Sequence, residues 1–172
     1  HYQFENVTIE PRLDKVPPLW VGGGSQPAIK GSSEYNRLAE TVKRRIARAD
    51  GYLAMPQTIV ELLREDWVQI EACARELGRD PKQITFAQMN YFHIVETSDR
   101  AKALEVQQRY FDQYTGEIRR FDYTKACYLV GTLDDILQRI DERRRIGAEY
   151  AILGPVSVEP GVLDQQLDLL TK

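Results

Sequence analysis

Pro17-Pro18-Leu19-Trp20-Val21-Gly22-Gly23-Gly24-Ser25 is the stretch on which the fold turns. Two successive prolines block both a helix and a central strand. The apolar run Leu19-Trp20-Val21 then stops at three glycines and a serine. A short apolar run ended by glycines reads as a buried strand leaving into a turn. Residues 1–18 therefore read as an extended lead-in to a first strand.

The same unit recurs downstream. Residues 34–49 predict a helix with Tyr35, Leu38, Val42, Ile46 and Ala49 on one face, Ser32 or Ser33 as N-cap and a basic C-terminal end. Residues 51–54 read as a second strand. Residues 58–77 give the clearest helix: Val60, Leu63, Trp67, Ile70, Ala74 and Leu77 step by three and four, and Gly78 closes it. Residues 84–95 are β-branched and aromatic, a third strand. Thr97, Ser98 or Asp99 caps a helix that begins near Arg100 and carries Ala103, Val106, Tyr110 and Tyr114. Residues 116–126 read as irregular. Tyr128-Leu129-Val130 is a further short apolar run. Thr132 with Asp135 forms a capping box, and the helix it opens carries Leu133, Ile136, Leu137 and Ile140, with Arg143, Arg144 and Arg145 as cations suited to its last turn. Residues 149–153 are the last strand. Residues 161–170 form a final helix with Leu163, Leu167 and Leu170 inward. This alternation implies βαβ units and a parallel sheet with right-handed crossovers.

Composition narrows the function. The 172 residues suit one domain, with 42% hydrophobic and 28% charged residues, a globular balance. A net charge of −3 argues against a general nucleic-acid binder. No apolar run has the length of a membrane span. Two cysteines, Cys73 and Cys127, and two histidines, His1 and His93, give no metal-type spacing, so no metal is expected. Cysteine usage points to a reducing, cytoplasmic compartment. The chain starts at His1 without a signal peptide, so the expectation is a processed or partial chain.

Ligands of a parallel α/β sheet sit at the carboxyl ends of the strands. The glycine run lies at such an end. Its backbone can approach a ligand closely and aim N–H groups at it, and Ser25 adds a hydroxyl; phosphate suits that donor set. A tight turn with no ligand explains the bare pattern equally well. The run is neither a P-loop nor G-x-G-x-x-G, since Pro27 stands where the last glycine would be. His93, the interior histidine, is a general-base candidate, but a satisfied structural ring is the favoured reading. Asp50 reads as a turn residue, and Asp134-Asp135 as helix N-terminal charge.

Several segments together resemble the luciferase-like monooxygenases. Pro17 to Ser25 resembles their P-x-W-V-G-G-G-S strand and loop. Arg48-Ala49-Asp50-Gly51-Tyr52-Leu53 resembles their A-D-G-W strand. Ala74 to Pro81 resembles the next helix exit. Leu129-Val130-Gly131-Thr132 with Asp135-Ile136 resembles the G-T-P-E-x-I/V helix start, with Leu133 where proline is usual. Gly147-Ala148-Glu149-Tyr150 resembles the approach to the final strand. The match runs from about Pro11 to Leu170.

The resemblance implies a (β/α)8 TIM barrel of which this single domain, residues 1–172, is the second half, about four βα units. It implies FMN as cofactor, with F420 as the alternative, and its phosphate held by Gly22, Gly23, Gly24 and Ser25. It implies flavin-dependent oxidoreductase or monooxygenase chemistry on a small-molecule substrate, with no catalytic residue assignable in this half. A half-barrel leaves two raw strand edges, so the expected partner is the N-terminal half or a second copy, with a homodimer as a further arrangement. Two other readings are a non-catalytic half-barrel that binds a phosphate ligand or a partner, and a complete flavodoxin-type domain. The lead-in and the matched segments argue against the last.

Overall fold

The computed structural model describes residues 15–27, 35–116 and 120–170. The elements run β1 (Trp20–Gly23), β2 (Gln26–Pro27), β3 (Tyr35–Asn36), α1 (Glu40–Ile46), β4 (Gly51–Ala54), α2 (Val60–Glu76), β5 (Thr85–Phe92), α3 (Arg100–Thr115), α4 (Phe121–Cys127), α5 (Leu133–Ile146), β6 (Tyr150–Pro155) and α6 (Pro160–Leu169). Four strands form one parallel sheet in the order β1-β4-β5-β6. That is the expected succession of βα units, each strand beside its predecessor.

Register assigns the two faces of the sheet. Val21, Tyr52 and Phe86 stand side by side, as do Gly22, Leu53, Ala87 and Tyr150. Side chains alternate along a strand, so the first row points to the helices and the second to the inside of the curve. The helix side is packed. Ile46, Tyr52, Leu63, Ile70 and Phe86 are fully buried there. The rings of Tyr52, Trp67 and Phe86 stack at centroid distances of 4.6 to 6.2 Å. A second core joins α3 and α4 through Phe111, Tyr128, Val130 and Val156.

The structure corrects the sequence reading in three places. The first helix starts at Glu40, because Tyr35 and Asn36 pair antiparallel with Gln26 and Pro27; a long-range partner overrides the local period. Its proposed caps Ser32 and Ser33 lie outside the described residues, as does the lead-in before residue 15. Within residues 116–126, read as irregular, α4 begins at Phe121 and runs to Cys127, burying Thr124 and Cys127. The apolar run Tyr128-Leu129-Val130 stays outside the four-stranded sheet. Leu129 contributes one bridge to Phe92, with its N–H on the Tyr91 carbonyl. Arg143, in the last turn of α5 as read, is buried. On α6, Leu163, Leu167 and Leu170 are exposed, and Gln166 is the buried residue.

Two buried glutamines explain how the loops are held. Gln166 Nε2 donates to the Ile94 carbonyl at 2.9 Å, and its Oε1 accepts from Ile94 N–H at 2.5 Å. It completes the backbone of one residue as a neighbouring strand would. Gln107 on α3 donates through Nε2 to the carbonyls of His93 and Gly131, at 2.7 and 2.8 Å, and accepts from Gly131 N–H at 2.8 Å. It ties the exit of β5 to the start of α5. Gln107→Leu leaves three buried backbone groups unpaired and should lower unfolding free energy by about 2–4 kcal/mol, read as a drop in the urea midpoint at unchanged slope.

Candidate active site

The Gly22–Ser25 loop lies at the carboxyl end of β1, where parallel sheets hold ligands. β1 is an edge strand, hydrogen-bonded to β4 on one side. One row of its N–H and C=O groups therefore lies outside the ladder. The glycines have separate reasons. A Cβ at Gly22 would touch only Leu53 O and Met55 Sδ, at 3.9 and 4.0 Å, and the residue is exposed. A Cβ at Gly23 would press on Val42 and Leu38 at 3.0 and 3.1 Å, so glycine there lets α1 approach. A Cβ at Gly24 (φ +156°) would fall 2.3 Å from Thr58 Oγ1. Of the three, Gly22 is the glycine that faces open space.

Ser25 does something the sequence did not disclose. It is fully buried, and both its donors go to one carboxylate on α2. Its N–H reaches Asp66 Oδ2 and its hydroxyl reaches Asp66 Oδ1, each at 2.6 Å. The hydroxyl also accepts from Leu38 N–H at 2.8 Å. Asp66 is 2% exposed. Burial pushes its carboxyl above the ordinary carboxylate range, against the pull of the two Ser25 bonds and of Arg37. Ser25 is thus a pin that ties the loop to α2 and α1, and its hydroxyl is committed to Asp66.

Thr58 was missed. Read as the first residue of a helix, it stands just before α2, fully buried, with its hydroxyl against Gly24 and without a hydrogen-bond partner. Buried polar atoms are rarely left unpaired. No one-dimensional signal marks it, because its position beside Gly24 comes from the pairing of β1 with β4.

The other strand ends carry less. After β4, Met55 is exposed and Pro56 buried. His93, beyond β5, is 3% exposed. Its Nδ1 lies 2.8 Å from the Val156 carbonyl and its ring stacks on Tyr110 at 4.0 Å. Burial pushes its pKa down. Asp50 accepts from Leu19 N–H at 2.8 Å, a turn contact. Asp135 accepts from the N–H of Thr132, which holds its carboxyl below the usual range and completes the capping box. Among the described residues, no group of three or more His, Cys, Asp or Glu side chains stands together as a metal site. No helix among them is long and apolar enough to cross a membrane.

The inner face of the sheet is open. Trp20 on β1 and Tyr150 and Ile152 on β6 are 38%, 58% and 44% exposed. The rings of Trp20 and Tyr150 approach to 6.2 Å across the curve, so the sheet is strongly bent. β1 and β6 are both sheet edges.

No protein-family model and no curated protein matches this chain. Solved structures do. An F420-dependent secondary alcohol dehydrogenase, in complex with an F420-acetone adduct, superposes with a TM-score of 0.65 at 17% identity, covering 91% of this chain and 48% of its own. The monooxygenase RslO1 from Streptomyces bottropensis gives 0.64 at 17% identity, over 95% of this chain and 50% of its own. The oxygenating constituent of 3,6-diketocamphane monooxygenase from Pseudomonas putida, a type II Baeyer-Villiger enzyme in complex with FMN, gives 0.59 at 15%, over 92% and 48%. The chain spans about half the length of these proteins. The likeness shows the fold: four parallel βα units, half of a TIM barrel. It agrees with the resemblance carried by the glycine loop and the four segments after it.

Proposed function

We propose that the chain is the cofactor-phosphate half of a luciferase-like, flavin- or deazaflavin-dependent oxidoreductase or monooxygenase. It acts on a small-molecule substrate in the cytoplasm, where the buried thiols Cys73 and Cys127 stay reduced. The observation that carries this is the orphaned Thr58 hydroxyl against Gly24, at the carboxyl ends of two adjacent parallel strands. An anion at the loop would give that hydroxyl its missing acceptor. It would also meet backbone N–H groups of the Gly22–Gly24 run where β1 ends, beyond the point at which the Gly23 carbonyl accepts from Met55 N–H.

These residues fit a phosphate, with one change of role. Gly22, Gly23 and Gly24 with Thr58 receive it, and Ser25 fixes the loop through Asp66. The inner face, with Leu53, Tyr150 and Ile152, supplies apolar surface for a ring system. The cofactor, FMN in our reading and F420 as the alternative, would supply hydride transfer, or oxygen activation in the FMN case. The chain's own residues position it and keep water from its ring. Four further βα units, from an N-terminal half or a second copy in a homodimer, would cover the open face and both edges.

Gly24→Asp cannot separate phosphate binding from folding, since its side chain collides with Thr58. Gly22→Asp can, because the added carbon meets nothing closer than 3.9 Å. It should fold as the parent does and bind FMN or F420 at least about tenfold more weakly, from the added negative charge. Fluorescence titration reads the affinity. Unchanged affinity would remove the loop from the cofactor site. The alternative, a half-barrel without cofactor, is favoured by one observation, the commitment of both Ser25 donors to Asp66.

A further inference from the structure

A cleft of about 570 Å³ opens on the opposite side of the sheet, between α5 and the β5–β6 pair. It is separate from the glycine loop and from the inside of the barrel. Its walls are apolar along Leu129, Ile140 and Leu153. Its floor is polar, and that polarity is used only in part: Asn90 donates to the Cys127 carbonyl and accepts from Tyr91 N–H. Gln88, 3% exposed, lines the cleft with neither Oε1 nor Nε2 hydrogen-bonded. Arg143, 6% exposed, lines it too. Two of its nitrogens donate to the carbonyls of Arg139 and Cys127, and Nε has no partner. Among the described residues no carboxylate forms an ion pair with it; Glu142 and Glu61 favour its charge from beyond pairing distance.

A buried guanidinium without a direct ion-pair partner and a buried amide without partners each cost free energy unless something completes them. Burial presses the Arg143 pKa down to about 10, so the group remains charged at neutral pH. Glu149 and Arg144 at the rim are both exposed and offset each other. We infer that this cleft binds a small amphipathic carboxylate. Its head would meet Arg143 and Gln88, and its tail would lie along Leu129, Ile140 and Leu153. The charge completes the guanidinium, the second oxygen takes the amide N–H, and the apolar walls exclude water from both.

The test is calorimetric titration of the 172-residue chain with octanoate and with 1-octanol, which share a tail and differ in charge. Octanoate should saturate one site and bind at least about tenfold more tightly than octanol. Arg143→Met should abolish that preference. Gln88→Leu should weaken octanoate by about threefold or more, while raising the urea midpoint because two orphaned polar atoms are gone. Gln88→Leu keeps the inference testable if Arg143→Met does not fold. Arg144→Gln at the rim should change octanoate affinity by less than about twofold. Equal affinity for the two probes, no saturable octanoate binding, or an affinity that falls with Arg144→Gln but not with Gln88→Leu would each overturn the inference.

Discussion

Asp66→Ala should destabilise the protein by about 3–4 kcal/mol. The substitution removes a buried acceptor that serves two donors of Ser25 at 2.6 Å each. Hydrogen bonds to a charged group contribute about 1.5–3 kcal/mol each, and donors left buried without partners add their own cost. The loss reaches further than one contact. The Ser25 hydroxyl also accepts from Leu38 N–H, so the glycine loop, α1 and α2 share this junction. Asp66→Asn keeps the shape but turns an amide nitrogen toward one donor, and should cost about half as much. Urea unfolding of both variants reads the difference. A loss below about 1 kcal/mol for Asp66→Ala would mean that the junction does not hold the loop.

The same carboxyl gives the pH dependence its sign. Burial raises the folded-state pKa of Asp66 above its unfolded value of about 4. The folded state then binds the proton more tightly than the unfolded chain. Its contribution is full below pH 4 and is lost as pH rises through the folded value. The stability gap between the parent and Asp66→Asn should therefore narrow as pH rises from 4 toward 7. A widening gap would show that the Ser25 bonds outweigh burial.

Phe86→Ala should cost about 3–5 kcal/mol, the range for a large buried ring with little room to collapse. Phe86 is fully buried. Its ring stacks on Trp67 at 4.6 Å and on Tyr52 at 5.2 Å. It stands on β5, Tyr52 on β4 and Trp67 on α2, so its removal opens a void where three elements meet. The β-sheet and α2 should lose stability together, seen as a shift of one cooperative transition. Phe86→Leu should cost less than half as much, because it refills most of the volume. Equal costs would point to a site that relaxes freely.

Local signals carried much of this fold. β4 occupies residues 51–54 as read, because a short apolar run between Asp50 and Pro56 has no competing partner. The apolar period of α2, the Asp99 cap of α3 and the Thr132 capping box all appear in place. These depend on neighbours within a few residues. What failed depended on distant ones. Tyr35 fits a helical face by spacing, yet Pro27 claims it as a strand partner. Leu129 belongs to a short apolar run, but it meets β5 at Phe92 alone, on the side where β4 has already ended at Ala54. The candidate site divides in the same way. The glycine loop was visible as a motif. The Asp66 that occupies Ser25 lies 41 residues away, and Thr58 gains meaning only beside Gly24. Arg143 looked like a helix-end cation because nothing in its neighbourhood of sequence shows that it is buried.

In the function proposed above, the Gly22–Ser25 loop seats the phosphate of a flavin-type cofactor. FMN and riboflavin carry the same ring and differ in that phosphate, so their relative affinity for the chain is the most direct measurement. FMN should bind at least about tenfold more tightly than riboflavin, and Gly22→Asp should remove the difference. Equal affinity for the two, or a preference for FMN that survives Gly22→Asp, would contradict it.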